Sequence, residues 1–177
     1  MKTINDEIET LKLISNEMIE CFKNNGKILI CGNGGSASDA QHIAAELVGR
    51  FQEDRIALPA ISLSTDTSIL TAVSNDYSYE NIFERQISAL AKKEDIVLVL
   101  STSGSSKNII RAVKCANIIG CKTIGFFGEK KGLIEDDTDI AIKIKSCDTA
   151  IIQECHIILG HIICALIDDR YSKSNDV

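Results

Sequence analysis

Lys27-Ile28-Leu29-Ile30-Cys31-Gly32-Asn33-Gly34-Gly35-Ser36 is an apolar run that ends in a glycine turn, and the turn opens onto a helical pattern reaching to about Arg50. A short continuous apolar run bounded by such a turn reads as a parallel strand covered on both faces. Glycines let the backbone bend sharply and approach a ligand closely. The N–H groups that start the following helix have no partners within it, so together with the helix dipole they favour an anion, typically a phosphate. His42 and Glu46 lie four residues apart on that helix and therefore share a face. A phosphate cradle beside an imidazole and a carboxylate points to an enzyme acting on a small phosphorylated molecule.

The same pattern continues along the chain. Residues of about 3–25 form an amphipathic helix, with Ile4, Ile8, Leu11, Ile14, Met18 and Phe22 at three- and four-residue spacing. Asn24-Asn25-Gly26 ends it, with the glycine expected to supply a left-handed cap. Strands are expected at 27–31, 60–64, 95–101, 122–127 and 140–144. Helices are expected at 36–50, 67–74 with 79–91, 105–119 and 149–170, and a short turn near 131–136. Alternating strands and helices imply βαβ units. The expected fold is thus a doubly wound α/β three-layer sandwich around a five-stranded parallel sheet, with an extra N-terminal helix. Residues 1–177 form one domain: the helix at 3–25, then an α/β core of about 26–171. The polar tail, Ser172–Val177, is expected to fray. Right-handed crossovers place every strand C-terminus on one edge, where ligands bind.

Composition narrows the class. The chain has 177 residues, 45% hydrophobic and 25% charged, which is ordinary for a globular domain with a proper core. A formal net charge of −6 disfavours a nucleic-acid partner. Seven cysteines without a C-x-x-C pair, several in apolar runs, read as reduced thiols of a cytoplasmic protein. The N-terminus has neither the basic nor the apolar region of a signal peptide. The apolar stretch Ile151–Ile167 is interrupted by Gln153, Glu154, His156 and His161, so it reads as a buried helix and not a membrane span.

A second anion loop, Ser101-Thr102-Ser103-Gly104-Ser105-Ser106, directly follows the third strand and runs into a helix. Its hydroxyls and helix N–H groups suit phosphate oxygens. One serine loop alone would more simply be a helix cap, but two such loops at strand C-termini favour a ligand. On the last helix, Gln153 and His161 are eight residues apart, or about 80° around the axis, so both can face one elongated site. His156 falls away from His161 and reads as structural or interfacial. Asn75-Asp76 reads locally as a turn. Ser64-Thr65-Asp66, at another strand C-terminus, reads as pocket wall.

In this order and spacing the motifs resemble the sugar isomerase (SIS) fold and, within it, the phosphoheptose isomerase family. The carrying motifs are Cys-Gly-Asn-Gly-Gly-Ser at 31–36, Asp39-Ala40-x-His42-x-x-x-Glu46-Leu47-x-Gly49-Arg50, Asn75-Asp76, Ser101-Thr102-Ser103-Gly104-x-Ser106 and Ile152-Gln153-Glu154-x-His156-x-x-x-x-His161. The resemblance spans about residues 3–169. It implies conversion of sedoheptulose 7-phosphate to D-glycero-D-manno-heptose 7-phosphate through an enediol, the first step towards activated heptose for surface glycans such as lipopolysaccharide or capsule. It implies substrate contacts from Asn33, Gly34, Gly35, Ser36, Glu46, Asn75, Asp76 and Gln153, with the phosphate held by Ser101, Thr102, Ser103 and Ser106. It also implies an acid/base pair, Glu46 and His161, and a zinc ion on His42, Glu46, Gln153 and His161. Finally, it implies a cytoplasmic homotetramer whose active sites lie at subunit interfaces, without nucleic-acid or membrane partners.

The chain departs from the family in carrying Ala150-Ile151 where relatives often have a charged residue and an arginine, so any substrate contact from that arginine is missing. Its N-terminal helix is also shorter than in some members. Two other readings share the fold: a non-catalytic module of the kind that binds a replication initiator, and an isomerase of another sugar phosphate. The initiator-binding relative lacks the glutamate and the second histidine. This chain keeps both Glu46 and His161.

Overall fold

The computed structural model describes residues 6–130 and 132–172. In chain order the elements are α1 (Ile8–Lys23), β1 (Ile28–Gly32), α2 (Gly35–Val48), β2 (Ala60–Ser62), α3 (Thr67–Asp76), α4 (Ile82–Leu90), β3 (Ile96–Ser101), α5 (Lys107–Ile119), β4 (Lys122–Phe127), β5 (Ile140–Lys143) and α6 (Thr149–Ser172). Single 3₁₀ turns at Tyr79–Asn81 and Glu135–Asp137 join them. The five strands form one parallel sheet in the order β2-β1-β3-β4-β5.

Strand alternation builds two cores. Ile28, Ile30, Ile96, Leu98 and Leu100 point to one face and pack with Ile14, Met18, Ile43, Leu47, Leu159 and Ile163 from α1, α2 and α6. Leu29, Cys31, Val97 and Val99 point to the other and pack with Phe83, Ile87, Ile109 and Val113 from α4 and α5. Both faces of β1 and β3 are therefore buried, which is why their sequences are continuously apolar. The helix α6 is long and apolar enough, by length and composition, to cross a membrane. Here one side of it packs in the first core against α1 and α2.

The expected fold class is observed, with local corrections. The second strand stops at Ser62, because the Thr65 hydroxyl donates to the Ser62 carbonyl and turns the chain towards Asp66, the N-cap of α3. That helix runs to Asp76, so Asn75 and Asp76 form its exposed last turn and not a loop. After α1 the left-handed residue is Asn25 (φ 58°), not Gly26. Gly26 is needed for space instead, since a Cβ there would stand 2.3 Å from the Glu94 carbonyl oxygen. The remaining strand and helix ends agree or shift by one or two residues, apart from α1, whose described helix starts at Ile8, and α4, where Tyr79–Asn81 form a 3₁₀ turn and the α-helix starts at Ile82. The turn expected near 131–136 is the 3₁₀ turn at Glu135–Asp137. Residues 3–5, Lys131 and the tail at 173–177 lie outside the described residues.

Three buried polar side chains meet at α6: His156 and Asp168 belong to it, and Arg55 is bonded to it. Arg55 is tied to Asp168 (2.7 Å) and donates to the carbonyls of Leu47 (2.9 Å) and Glu46 (2.7 Å), so it caps the C-terminal end of α2 and locks it to α6. Asp168 also accepts from the Gln52 and Glu53 N–H groups. Burial pushes its carboxyl up, yet these donors and Arg55 outweigh that and hold it below its ordinary value. His156 is fully buried against Phe126. Neither ring nitrogen meets hydrogen-bonding geometry, although the nearby Phe127 carbonyl slightly favours the charged ring.

Burial lowers the His156 pKa from its ordinary 6.5 to about 4. The unfolded chain therefore takes up this proton first. The stability held above pH 6.5 is expected to fall progressively towards pH 4, by on the order of 3 kcal/mol from this group. Urea unfolding at several pH values should show His156→Leu losing less stability over that interval than the parent. Equal losses would contradict the assignment.

Candidate active site

The chain leaves β1 into α2 on one face of the sheet and leaves β3 into α5 on the other. The C-terminal ends of β1 and β3 are adjacent, with Gly32 in register with Leu100. This is the topological switch point of the sheet, where a crevice opens between the diverging chains. Gly34, at the mouth of α2, has φ 58° and ψ −122°, a conformation open essentially to glycine alone. Gly35 is glycine for a different reason: a Cβ there would meet the Gln153 side-chain amide at 2.5 Å.

A small cavity of about 60 Å³ lies in the crevice, lined by Asn33, Ser36, Leu100, Ser101, Thr102, Ser103, Ser106 and Gln153. Its walls are mostly hydroxyl and amide groups. Ser101 Oγ accepts from the Gly104 N–H (3.1 Å) and Ser103 Oγ from the Ser105 N–H (3.2 Å), which hold the serine loop curled. Ser106 is the N-cap of α5 without a side-chain cap bond. Its hydroxyl and the first two N–H groups of α5, those of Lys107 and Asn108, are thus free of helix duties and suit an anion, while the Ile109 N–H is taken by Asn108 Oδ1.

Three further side chains converge two turns along α2 and α6. His42 Nε2 is 3.0 Å from Glu46 Oε1 and 3.1 Å from His161 Nε2, and His161 Nε2 is 3.5 Å from Glu46 Oε1. The i, i+4 spacing brings His42 and Glu46 together, and helix packing brings His161. The ring of Phe51 stacks on His161 with centroids 5.4 Å apart and so fixes the imidazole plane. One Glu46 oxygen, Oε2, is buried without a hydrogen-bond partner, as is Asp39 Oδ2 nearby. Burial raises the Asp39 carboxyl, while His42 and His161 pull it down.

The donor set fits a divalent cation. Around a tetrahedral zinc ion with bonds of about 2.0–2.1 Å, neighbouring ligand atoms stand roughly 3.3–3.4 Å apart. The three separations of 3.0, 3.1 and 3.5 Å bracket that value. The second Glu46 oxygen, Oε2, is a buried acceptor without a hydrogen-bond partner on the same carboxylate, which a cation would also help to satisfy. His42, Glu46 and His161 form a group capable of binding a metal ion.

Of the residues expected at the site, Asn33, Ser36, Ser101, Thr102, Ser103, Ser106 and Gln153 line one cavity. Gly34 lines an adjoining cavity with Asn33, Ser64 and Tyr79, and Gly35 lies against the Gln153 amide. His42, Glu46 and His161 form the second cluster. Within this chain Gln153 faces the hydroxyl-lined cavity, with its amide over Gly35. Asn75 and Asp76 are exposed and bonded to each other (2.9 Å) rather than lining either. Sequence reasoning missed Phe51, Tyr79 and Asn108. Tyr79 and Asn108 both bond Asn33, and no local spacing signals those contacts.

The SIS domain family model matches residues 1–128. The chain is 56% identical to a phosphoheptose isomerase of Nitratiruptor sp. over 86% of this chain and 82% of that protein. It is 49% identical to a phosphoheptose isomerase of Helicobacter pylori over 98% and 91%. The structure of phosphoheptose isomerase GmhA from Neisseria gonorrhoeae superposes with a TM-score of 0.89, at 42% identity, over 95% of this chain and 90% of that one.

The close approach at Gly35 yields a test. In Gly35→Ala the added methyl group should push the Gln153 amide away from the cavity. Inorganic phosphate, followed by ³¹P NMR line broadening, should then bind about tenfold more weakly with the melting temperature little changed, as for loss of a hydrogen bond to a charged group. Unaltered phosphate binding would remove Gln153 from the anion site.

Proposed function

The chain belongs to the phosphoheptose isomerase family of SIS-domain proteins, and from that premise we propose that it interconverts sedoheptulose 7-phosphate and D-glycero-D-manno-heptose 7-phosphate. This is a ketose–aldose isomerisation that supplies heptose for surface glycans. The observation that carries the reading is the pairing of two clusters on the same two helices. The hydroxyl-lined cavity sits at the N-terminal end of α2 and beside Gln153. The His42–Glu46–His161 cluster lies further along both helices, with His161 about 12 Å beyond Gln153 on the α6 axis. A sugar with its phosphate at one end and its reacting carbons at the other spans such a pair of sites.

In this reading Ser101, Thr102, Ser103, Ser106 and the N-terminus of α5 bind the phosphate. Asn33, Ser36 and Gln153 line the same cavity, where the two amides add N–H donors for the phosphate and all three reach the adjoining sugar hydroxyls. Isomerisation moves a proton between C1 and C2 through an enediol, so one group must take a carbon-bound proton while another exchanges protons with the hydroxyl and carbonyl oxygens. Glu46 Oε1 and His161 Nε2, 3.5 Å apart, can reach one substrate edge together. Phe51 stacking and the Arg55 clamp at the end of α2 keep both from swinging away. His42, Glu46 and His161 would hold zinc, which when bound supplies a Lewis acid for the substrate carbonyl oxygen.

The same reading carries a cytoplasmic homotetramer with shared active sites. Support comes from apolar surface left open on the single chain, including Leu13, Val48, Ile151 and Ile158. It also comes from Asn75 and Asp76, which stand away from this chain's own cavity and would serve a neighbouring one. Retention of both Glu46 and His161 favours catalysis over a binding module.

Two measurements test the chemistry. In Glu46→Gln, turnover of the sugar phosphate should fall by about 10²–10⁴-fold with KM little changed; near-normal turnover would sink the acid/base assignment. In His42→Ala, zinc affinity read by competition with a fluorescent chelator should fall by more than the roughly 10–100-fold typical of outer-shell changes. Unchanged affinity would remove His42 from the ligand set.

A further inference from the structure

We propose that Asn108 is a positioning residue of the anion site, acting through Asn33 to decide which end of the Asn33 amide meets the substrate phosphate. The proposal rests on reading the serine-lined cavity as the phosphate site. Asn108 is only 3% exposed and sits two residues after the N-cap of α5, a place where an asparagine would ordinarily turn outward or cap the helix. Here its side chain turns inward, and a buried amide must be paired.

The hydrogen-bond network leaves one arrangement. The Ile109 N–H can only donate, and it lies 2.9 Å from one Asn108 side-chain atom, which is therefore Oδ1. The other Asn108 atom is then Nδ2, which donates to Asn33 Oδ1 at 2.8 Å. Asn33 Nδ2 donates back to Asn108 Oδ1 at 3.0 Å. The Tyr79 hydroxyl is the second donor to Asn33 Oδ1, at 2.9 Å. Asn33 Oδ1 is thus filled by two donors, and the uncommitted group of Asn33 is the second N–H of Nδ2. Because Asn33 lines the cavity with Ser36 and the serine loop, that N–H is what it offers an anion. Turned the other way, the amide would present an oxygen lone pair and repel a phosphate. The backbone N–H of Ile109, two hydrogen bonds removed from any ligand, so sets the polarity of the cavity wall. The reciprocal amide pair also ties the glycine turn after β1 to the start of α5, bridging the two sides of the crevice.

A double-mutant cycle tests this directly. Wild type, Asn108→Ala, Asn33→Ala and the double variant are compared for KM, kcat and inhibition by inorganic phosphate. Asn108→Ala is expected to raise KM and the phosphate inhibition constant about tenfold with kcat within about twofold, and to add less than about twofold in the Asn33→Ala background. The same factor in both backgrounds, or a fall in kcat and melting temperature with KM unmoved, would identify a merely structural role and overturn the proposal.

Should Asn108→Ala fail to fold, Asn108→Asp is the isosteric substitute. It still accepts from Ile109 but sets a carboxylate oxygen against Asn33 Oδ1. Phosphate inhibition should weaken at least as much, and unaltered inhibition would overturn the proposal. Wild-type protein that neither turns over the heptose phosphate nor responds to phosphate would overturn the functional reading and this proposal together. Wild-type turnover beside an unaffected Asn108→Ala would overturn only the proposal.

Discussion

Parallel strands need crossovers, and a right-handed crossover lies on one face of the sheet or the other. This chain sends α2 to one face after β1 and α5 to the other after β3, while the two strands stay hydrogen-bonded neighbours. The crevice between their ends is a consequence of that constraint. Two helix N-termini open beside it. At α2 the Ser36, Ala37 and Ser38 N–H groups donate to the Asn33 and Gly34 carbonyls, so the unpaired N–H groups are those that open α5, next to the hydroxyls of the serine loop. The glycine turn, the serine loop and the Asn33–Asn108 pair are details fitted to a place the topology creates.

The chemistry proposed for the second cluster depends on how α2 is held. Its first turn faces the anion cavity and its later turns carry His42 and Glu46, so a shift of the helix would move both sites at once. Arg55 prevents this at the C-terminal end by bonding the Glu46 and Leu47 carbonyls and the Asp168 carboxylate of α6. A buried ion pair of this kind is costly to assemble and costly to break, which suits a role in geometry more than in net stability. Gly160 serves the same packing from α6, where a Cβ would stand 2.7 Å from Ile43. The close approach of the two helices is what brings His161 to His42.

Much of this was legible in the sequence because it obeys local rules. The continuous apolar runs of β1, β3 and β4 follow from burial on both faces, and the His42–Glu46 pair follows from helical spacing. The anion loops announce themselves through glycine and serine directly after strands. What failed or was missed depends on tertiary contact. A carbonyl from Glu94 explains Gly26, and the left-handed residue proved to be its neighbour Asn25. Asn75-Asp76 has the composition of a turn, yet the N-cap at Asp66 and the residues after it carry the helix through that pair. Asn108 looks like any asparagine near a helix start, and only the folded chain reveals that it faces Asn33.

The central claim is that this crevice moves a proton between neighbouring carbons of a sugar phosphate. The most direct test is proton NMR of sedoheptulose 7-phosphate in D₂O with purified protein and added zinc. The account predicts new aldose anomeric signals with deuterium incorporated at C2. An unchanged ketose, with the protein folded and phosphate bound, would contradict it.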